Sequence, residues 1–258
     1  MKYIKFQDKK GTFTIQSPEN YSGLYFPLAG DGGLKSSITP NLGGDSKTDQ
    51  NHFLLEPVSI ENLHNNRSTR NFWCRIEGKG CWSATGISAE QELQKFTEAQ
   101  DKSILEAGFM WQKVTRTSAK YGLQSEITSF VDVDGVAEIE LVRIKNISEE
   151  VTKITPIAAI PLYGRSADNI RDHRHVTSLL HRINTTEYGV EVTPVLSFDE
   201  RGHQKNHTTY FVYGYSEKGD APEAFYPTVQ EFIGEGGTYL NPEAVRKNKP
   251  GRKAGSRA

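Results

Sequence analysis

Apolar and polar residues alternate along most of the chain with a period of two, the pattern of half-buried β-strands. Residues 2–6 and 11–15 alternate on either side of a Gln-Asp-Lys-Lys turn and predict an opening hairpin. Alternating runs at residues 108–117, 123–133 and 136–146 predict three consecutive strands, and Asp134-Gly135 between the last two predicts a type I′ turn. Placing Val133 opposite Val136 aligns Asp132 with Ala137, Phe130 with Ile139, Thr128 with Leu141 and Glu126 with Arg143. That face is apolar with one ion pair at its end, so it is expected to lie on a core. Residues 154–163, 187–198 and 208–216 read as further strands. The clearest helical signal is residues 88–100, where Ser88 and Gln91 form an S-x-x-Q capping box. The pattern therefore predicts an all-β protein with at most a short peripheral helix.

Residues 25–86 interrupt this regularity. They combine Gly, Asn, Asp and aromatic residues at a density that suits turn-rich β architecture. Pro27, Gly30, Gly32, Gly33, Pro40, Gly43 and Gly44 divide the stretch into short extended pieces joined by tight turns. Cys74 and Cys81 flank a turn at Glu77, Gly78, Lys79 and Gly80. A four-residue loop there sets Ile76 opposite Cys81 and Cys74 opposite Ser83, so the thiols share a face diagonally and a disulfide is disfavoured. The same register places Trp73, Arg75 and Trp82 on one face, either a stacking platform or a second buried face.

Composition narrows the function classes. Lys+Arg 31 against Asp+Glu 32 leaves no global field that would recruit nucleic acid or an anionic membrane. No segment approaches the roughly 20 apolar residues that span a bilayer. The N-terminus lacks the apolar run of a secretory signal, so the chain is expected to be cytoplasmic and the N-x-S/T matches at Asn66, Asn146, Asn184 and Asn206 are read as chance. The DVDG segment lacks the remaining calcium ligands, and G-E-G-G lacks the third glycine of a dinucleotide fingerprint. His203 and His207 form an H-x-x-x-H, but the adjacent Gly202 suits a turn, not the helix that would align two imidazoles.

Two polar stretches carry the ligand chemistry. Lys47, Asp49, Gln50, Asn51 and His52 precede an apolar run, and planar amides and carboxylates of this kind hydrogen-bond sugar hydroxyls as readily as they brace loops. Arg165, Asp168, Arg171, Asp172, His173, Arg174 and His175 form the densest cluster of charged and imidazole groups.

The stretches YFPLAGDGGLKSSITPNLGGDSKTDQNHFLLEP, LHNNRSTRNFW, GKGCWSATG, AGFMWQKVTR, DNIRDHRHVTSLLHR and FIGEGGTYLNPEAV, taken together, resemble the N-terminal β-sandwich domain of the inverting β-glucan phosphorylases of glycoside hydrolase family 94, formerly glycosyltransferase family 36. Cellobiose, cellodextrin and chitobiose phosphorylases belong to that family, and the likeness runs from about residue 13 to 245. It implies a large antiparallel two-sheet supersandwich of the galactose mutarotase-like kind over residues 1–245, then a helical linker and an (α/α)6 barrel. In the barrel an Asp acts as general acid while inorganic phosphate attacks the anomeric carbon with inversion. Phosphate is itself the nucleophile, so the protein supplies only one of the two carboxylates that hydrolysis uses.

The resemblance further implies a β-linked oligosaccharide as partner, phosphate as co-substrate with no other cofactor, and a homodimer. This sequence stops where the linker and barrel would begin, so none of its residues inherits the general-acid or phosphate-binding role, and the chain alone is expected to be inactive. Residues 246–258 read as a disordered basic tail that departs from the family's continuation, as a truncated or frameshifted product would. In the family a loop of this domain lines the active site, in some members from the partner subunit. Lys47, Asp49, Gln50, Asn51, Arg171, Asp172, His173, Arg174 and His175 are the candidates for that loop. The alternatives are a free-standing carbohydrate-binding module, and a mutarotase or epimerase, which would need a placed Glu and His pair.

Overall fold

The computed structural model describes residues 4–21, 23–59, 61–62, 69–167, 181–199 and 202–258. Its largest sheet runs in the order β1 (Ile4–Phe6), β2 (Phe13–Gln16), β9 (Lys102–Gly108), β10 (Trp111–Ser118), β11 (Leu123–Val131) and β12 (Glu138–Asn146). All its pairings are antiparallel. Facing it are a meander of β3 (Phe26–Ala29), β4 (Lys35–Ile38), β5 (Ser46–Asp49) and β6 (His52–Leu55), and a sheet in the order β13 (Ile154–Ala159), β7 (Asn71–Ile76), β8 (Gly80–Ser83). The main core lies between these layers: Leu28, Ile38 and Leu42 from one side and Leu123, Ile127 and Val131 from the other enclose Cys74, Ile76 and Trp82.

The β7–β8 hairpin is buried on both faces, and its register departs from expectation. Ile76 pairs with Gly80, so the loop holds three residues, and Gly80 takes the strand position that the four-residue reading had assigned to the turn. Gly78 and Gly80 both have positive φ, which lets the chain reverse one residue earlier. A one-residue slip exchanges faces along one strand. Cys74 and Trp82 now enter the main core, while Trp73 and Cys81 face a second cluster. The thiols therefore lie on opposite faces and are free, and both tryptophans are buried, at 2% and 1% exposure, so neither forms a sugar platform.

Two further helices, α2 (Val229–Ile233) and α3 (Glu243–Lys247), bury Phe232, Ala244 and Val245 against Trp73. Helix α1 (Ala89–Gln94) begins where predicted, with Ser88 accepting from the Gln91 amide at 3.1 Å. It stops short of residue 100 because Phe96 takes a left-handed φ of 61°. Residues 102–108, passed over in the sequence reading, form a central strand.

The β11–β12 pairing holds as predicted, with Phe130 opposite Ile139, Thr128 opposite Leu141 and Glu126 opposite Arg143. The turn and the core face do not. Neither Asp134 nor Gly135 has positive φ, because the loop is pinned by the β3–β4 turn, where Asp31 and Gly32 amides donate to Val133 O at 2.6 and 3.2 Å. The chains approach so closely that a Cβ on Gly32 would sit 2.0 Å from Gly135 O. The face of β11 that meets the core carries Leu123, Ser125, Ile127, Ser129 and Val131, whereas the predicted face points outward with Leu141 57% exposed. Two buried serines hide this side from a hydrophobicity pattern, and Ser125 Oγ satisfies itself on Ala84 O at 3.0 Å.

A third sheet, β14 (His181–Thr185), β15 (Gly189–Pro194) and β18 (Tyr210–Tyr213), and a hairpin of β16 (Leu196–Asp199) with β17 (Gly202–Lys205) complete the strands among the described residues. The expected disordered tail is instead placed against this third sheet. Gly255 N donates to Thr185 O at 2.8 Å and Ala258 N to Ile183 O at 3.0 Å. Three of its charges have carboxylate partners, which is the physical reason: Arg252 grips Glu231 at 2.8 and 2.9 Å, and Lys247 and Lys249 hold the Glu243 carboxyl down to about 2.

A buried ion pair fastens the layers to each other. Arg70 is 2% exposed; its Nη2 meets Glu138 Oε2 at 2.7 Å, and its guanidinium also donates to the carbonyls of Leu42, Gly43, Gly44 and Asp45. Ser36 Oγ adds a bond to Glu138. Burial would raise the Glu138 carboxyl, but Arg70 outweighs it and holds the group below the ordinary carboxylate range. Its neighbour Glu140 is pushed well above that range by burial and then by the Glu138 charge.

Removing Arg70 strands both a carboxylate and four carbonyls. Arg70→Ala is therefore expected to cost about 3–5 kcal/mol, while the double replacement Arg70→Met with Glu138→Leu costs less; urea unfolding of the three proteins measures both. Glu140 has a raised folded pKa, so its favourable contribution is complete below about pH 4.5 and is lost as pH rises. Glu140→Gln is expected to gain stability over the parent progressively above that pH, and parallel urea midpoints from pH 4 to 8 would contradict this.

Candidate functional site

The hairpin of β5 and β6 closes with Asp49 opposite His52, and two register shifts along it mark a bulged, strongly twisted ribbon. Asp49 organises the tip. Its carboxylate accepts from the Asn51 amide at 2.8 Å and from His52 Nδ1 at 2.8 Å, the Asx-turn chemistry that Asp favours. Burial pushes the Asp49 carboxyl up, but the His52 and Asn51 hydrogen bonds prevail and hold it below its usual value. Lys47 lies over the Phe53 ring at 4.7 Å, and Gln50 O accepts from Ala167 N at 3.1 Å. Asp49 and Lys47 therefore brace the hairpin, and Asn51 is the predicted residue that it presents to a cavity. Arg171, Asp172, His173, Arg174 and His175 lie outside the described residues.

The cavity holds about 10 Å³, the room of a single water or hydroxyl oxygen. Backbone pairing of the 163–165 segment with β6, through Phe53 N to Arg165 O at 2.8 Å and Gly164 N to Phe53 O at 3.0 Å, brings Gly164 and Arg165 to its wall. His181 opens β14 and Tyr210 opens β18, while Leu196 and Ser197 come from β16. Asn206 completes the lining and is fixed by donating to Pro194 O and Thr208 O, each at 2.7 Å.

Among the described residues that line the cavity, Arg165 carries the one formal charge. Burial and then the Arg165 charge press the His181 imidazole down to about 4, so it is neutral at pH 7, and its Nε2 has no partner among the described residues. Burial and the Asp49 charge raise the Tyr210 hydroxyl, which stays protonated. Among the described residues no carboxylate lines the cavity. An uncharged imidazole, an amide and hydroxyls can instead hold a hydroxyl oxygen in place.

Sequence reasoning missed His181, Tyr210, Asn206 and Ser197 as a group, because they converge from three separate strands and their connecting loop. The one local signal was a histidine at the head of an alternating strand. Elsewhere, among the described residues, no group of three His, Cys, Asp or Glu side chains is arranged to hold a metal ion, and no helix is long and apolar enough to cross a membrane.

Comparison with curated proteins finds no significant match. The family model for the glycosyl hydrolase 94 supersandwich domain, however, matches residues 30–258. That span includes β4, β5 and β6 of the meander, the β7–β8 hairpin and the segment after Arg246, which thus lies within the family's pattern. With most of its length covered and a layered antiparallel fold to match, the chain belongs to glycosyl hydrolase family 94, as its supersandwich domain.

Proposed function

We propose that this domain serves an inverting β-glucan phosphorylase of the cellobiose phosphorylase type, lining the sugar site and supporting a dimer without performing the chemistry itself. The enzyme is a cytoplasmic glycosyltransferase that cleaves β-linked oligosaccharides with inorganic phosphate and needs no other cofactor. Its general acid and phosphate site belong to the family's (α/α)6 barrel. The observation that carries this reading is the cavity behind the β5–β6 hairpin tip, which offers Asn51, His181 and Ser197 to a hydroxyl. Asp49 holds the tip rigid before any ligand arrives, so little ordering entropy opposes a contact there. His181, neutral across the physiological range, can accept a hydroxyl proton at Nε2 in the hydrogen-bonding sense without becoming a general base.

The same niche also suits a free-standing carbohydrate-binding module, and affinity separates the two readings. Purified chain incubated with cellobiose and phosphate is expected to release no glucose 1-phosphate; detectable phosphorolysis would overturn the assignment. Calorimetric titration with cellotetraose is expected to give a Kd on the order of millimolar, with micromolar or tighter binding pointing to the module. Asn51→Ala should weaken that binding about five-fold, the loss of one neutral hydrogen bond, and an unchanged Kd would remove Asn51 from the site.

A further inference from the structure

A second polar niche lies where β10, α1 and the 3₁₀ turn Pro18–Asn20 meet, and it shares no residue with the first. At its wall is Arg116, on the core-facing side of β10 and 3% exposed. Its Nε and Nη2 are buried and have no hydrogen-bond partner among the described residues. These two groups form one edge of the guanidinium, the fork that grips a pair of neighbouring oxygen atoms. The nearest carboxylate, Glu19, stands 4.0 Å from Nη1, on the other edge. Gly86 covers the planar face so closely that a Cβ there would lie 2.6 Å from the guanidinium carbon, which holds the group in place.

The surrounding groups are occupied in a way that leaves this fork free. Glu19 accepts from Gln100 Nε2 at 3.1 Å and from Ser103 Oγ. Asp101 accepts from Trp82 Nε1 and Gln91 Nε2, each at 2.8 Å. Each carboxylate is thus met by neutral donors, and Lys95 is paired with Glu92 at 2.8 Å, which leaves Arg116 against Glu19 and Asp101 around the niche. A further anion would face two carboxylates already in place; a neutral ligand faces no such repulsion. The cavity holds about 20 Å³, room for one or two oxygen atoms, so only the edge of a ligand can enter. The remainder would rest at the mouth against the half-exposed Gln94 and Lys95.

We propose that this niche is a binding site for a vicinal diol of a neutral polyol or sugar. The two hydroxyl oxygens accept from Arg116 Nε and Nη2. The site requires nothing of the β-glucan reading, since its recognition is of a diol and not of a linkage.

The Arg116 Nε–H resonance reports on it directly. In a ¹H–¹⁵N spectrum of the full chain that signal is assigned by its absence from Arg116→Met. Titration with glucose is expected to shift it saturably, and titration with sodium acetate to leave it in place. Gln94→Ala, which removes a side chain at the mouth together with its bond to Glu90, is expected to raise the half-saturating glucose concentration about five-fold, and Asn51→Ala to leave it unchanged. A shift with acetate, no shift with glucose, or a response that tracks Asn51 and not Gln94 would each overturn the proposal. Should Arg116→Met fail to fold, through-bond assignment of the parent chain supplies the signal and the Gln94 comparison still decides.

Discussion

A guanidinium taken out of water must find acceptors for its donors, and the way Arg70 does so holds this domain together. Its partners come from three places: Glu138 on the edge strand of the large sheet, the carbonyls of residues 42–45 on the loop between β4 and β5, and its own position at the head of β7. A hydrophobic contact between the layers would tolerate sliding; a multiply bonded ion pair does not. The β4–β5 loop is fixed by this pair, and the hairpin that follows it carries Asp49 and Asn51. Layer packing and the position of the candidate site are thus set by one buried charge.

The hairpin of β7 and β8 supplies the complementary, apolar half of the arrangement. Trp82 fills the core toward the large sheet, and Trp73 fills the cluster beneath α2 and α3. Because both faces are buried, only one register satisfies both clusters. The segment after Arg246 packs on that side, with Lys247 and Lys249 matched to Glu243 and Arg252 to Glu231. A charge run that looks solvated in isolation becomes a clasp once its partners fold beside it.

What the sequence reveals follows from which interactions are local. Alternation located every strand of the large sheet except β9, Ser88 located the start of α1, and the β11–β12 register could be read from one dipeptide. Two errors have one cause. The β7–β8 loop was lengthened by a residue because Gly80 serves equally in a turn or in a strand at positive φ. The core face of β11 was inverted because Ser125 and Ser129 are buried and hydrogen-bonded. In each case tertiary contacts decided between options that are nearly equal locally. The candidate site shows the same division. Asn51 was accessible to reasoning because it sits in a turn with its own chemistry; His181, Asn206 and Tyr210 gain meaning only when three strands bring them to one wall. Arg116 carried no signal at all, since a charged residue in an alternating strand reads as solvent-facing.

The central claim is that the tip of the β5–β6 hairpin meets sugar and takes no part in phosphate chemistry. Hydrogen–deuterium exchange of the full chain tests it most directly, because the amides of Phe53 and Gly164 join the hairpin to the cavity wall. With cellotetraose present, the account predicts slower exchange across residues 50–53 and 163–165, and no change there with phosphate alone. Protection of these amides by phosphate alone, or protection by the oligosaccharide confined to other strands, would contradict it.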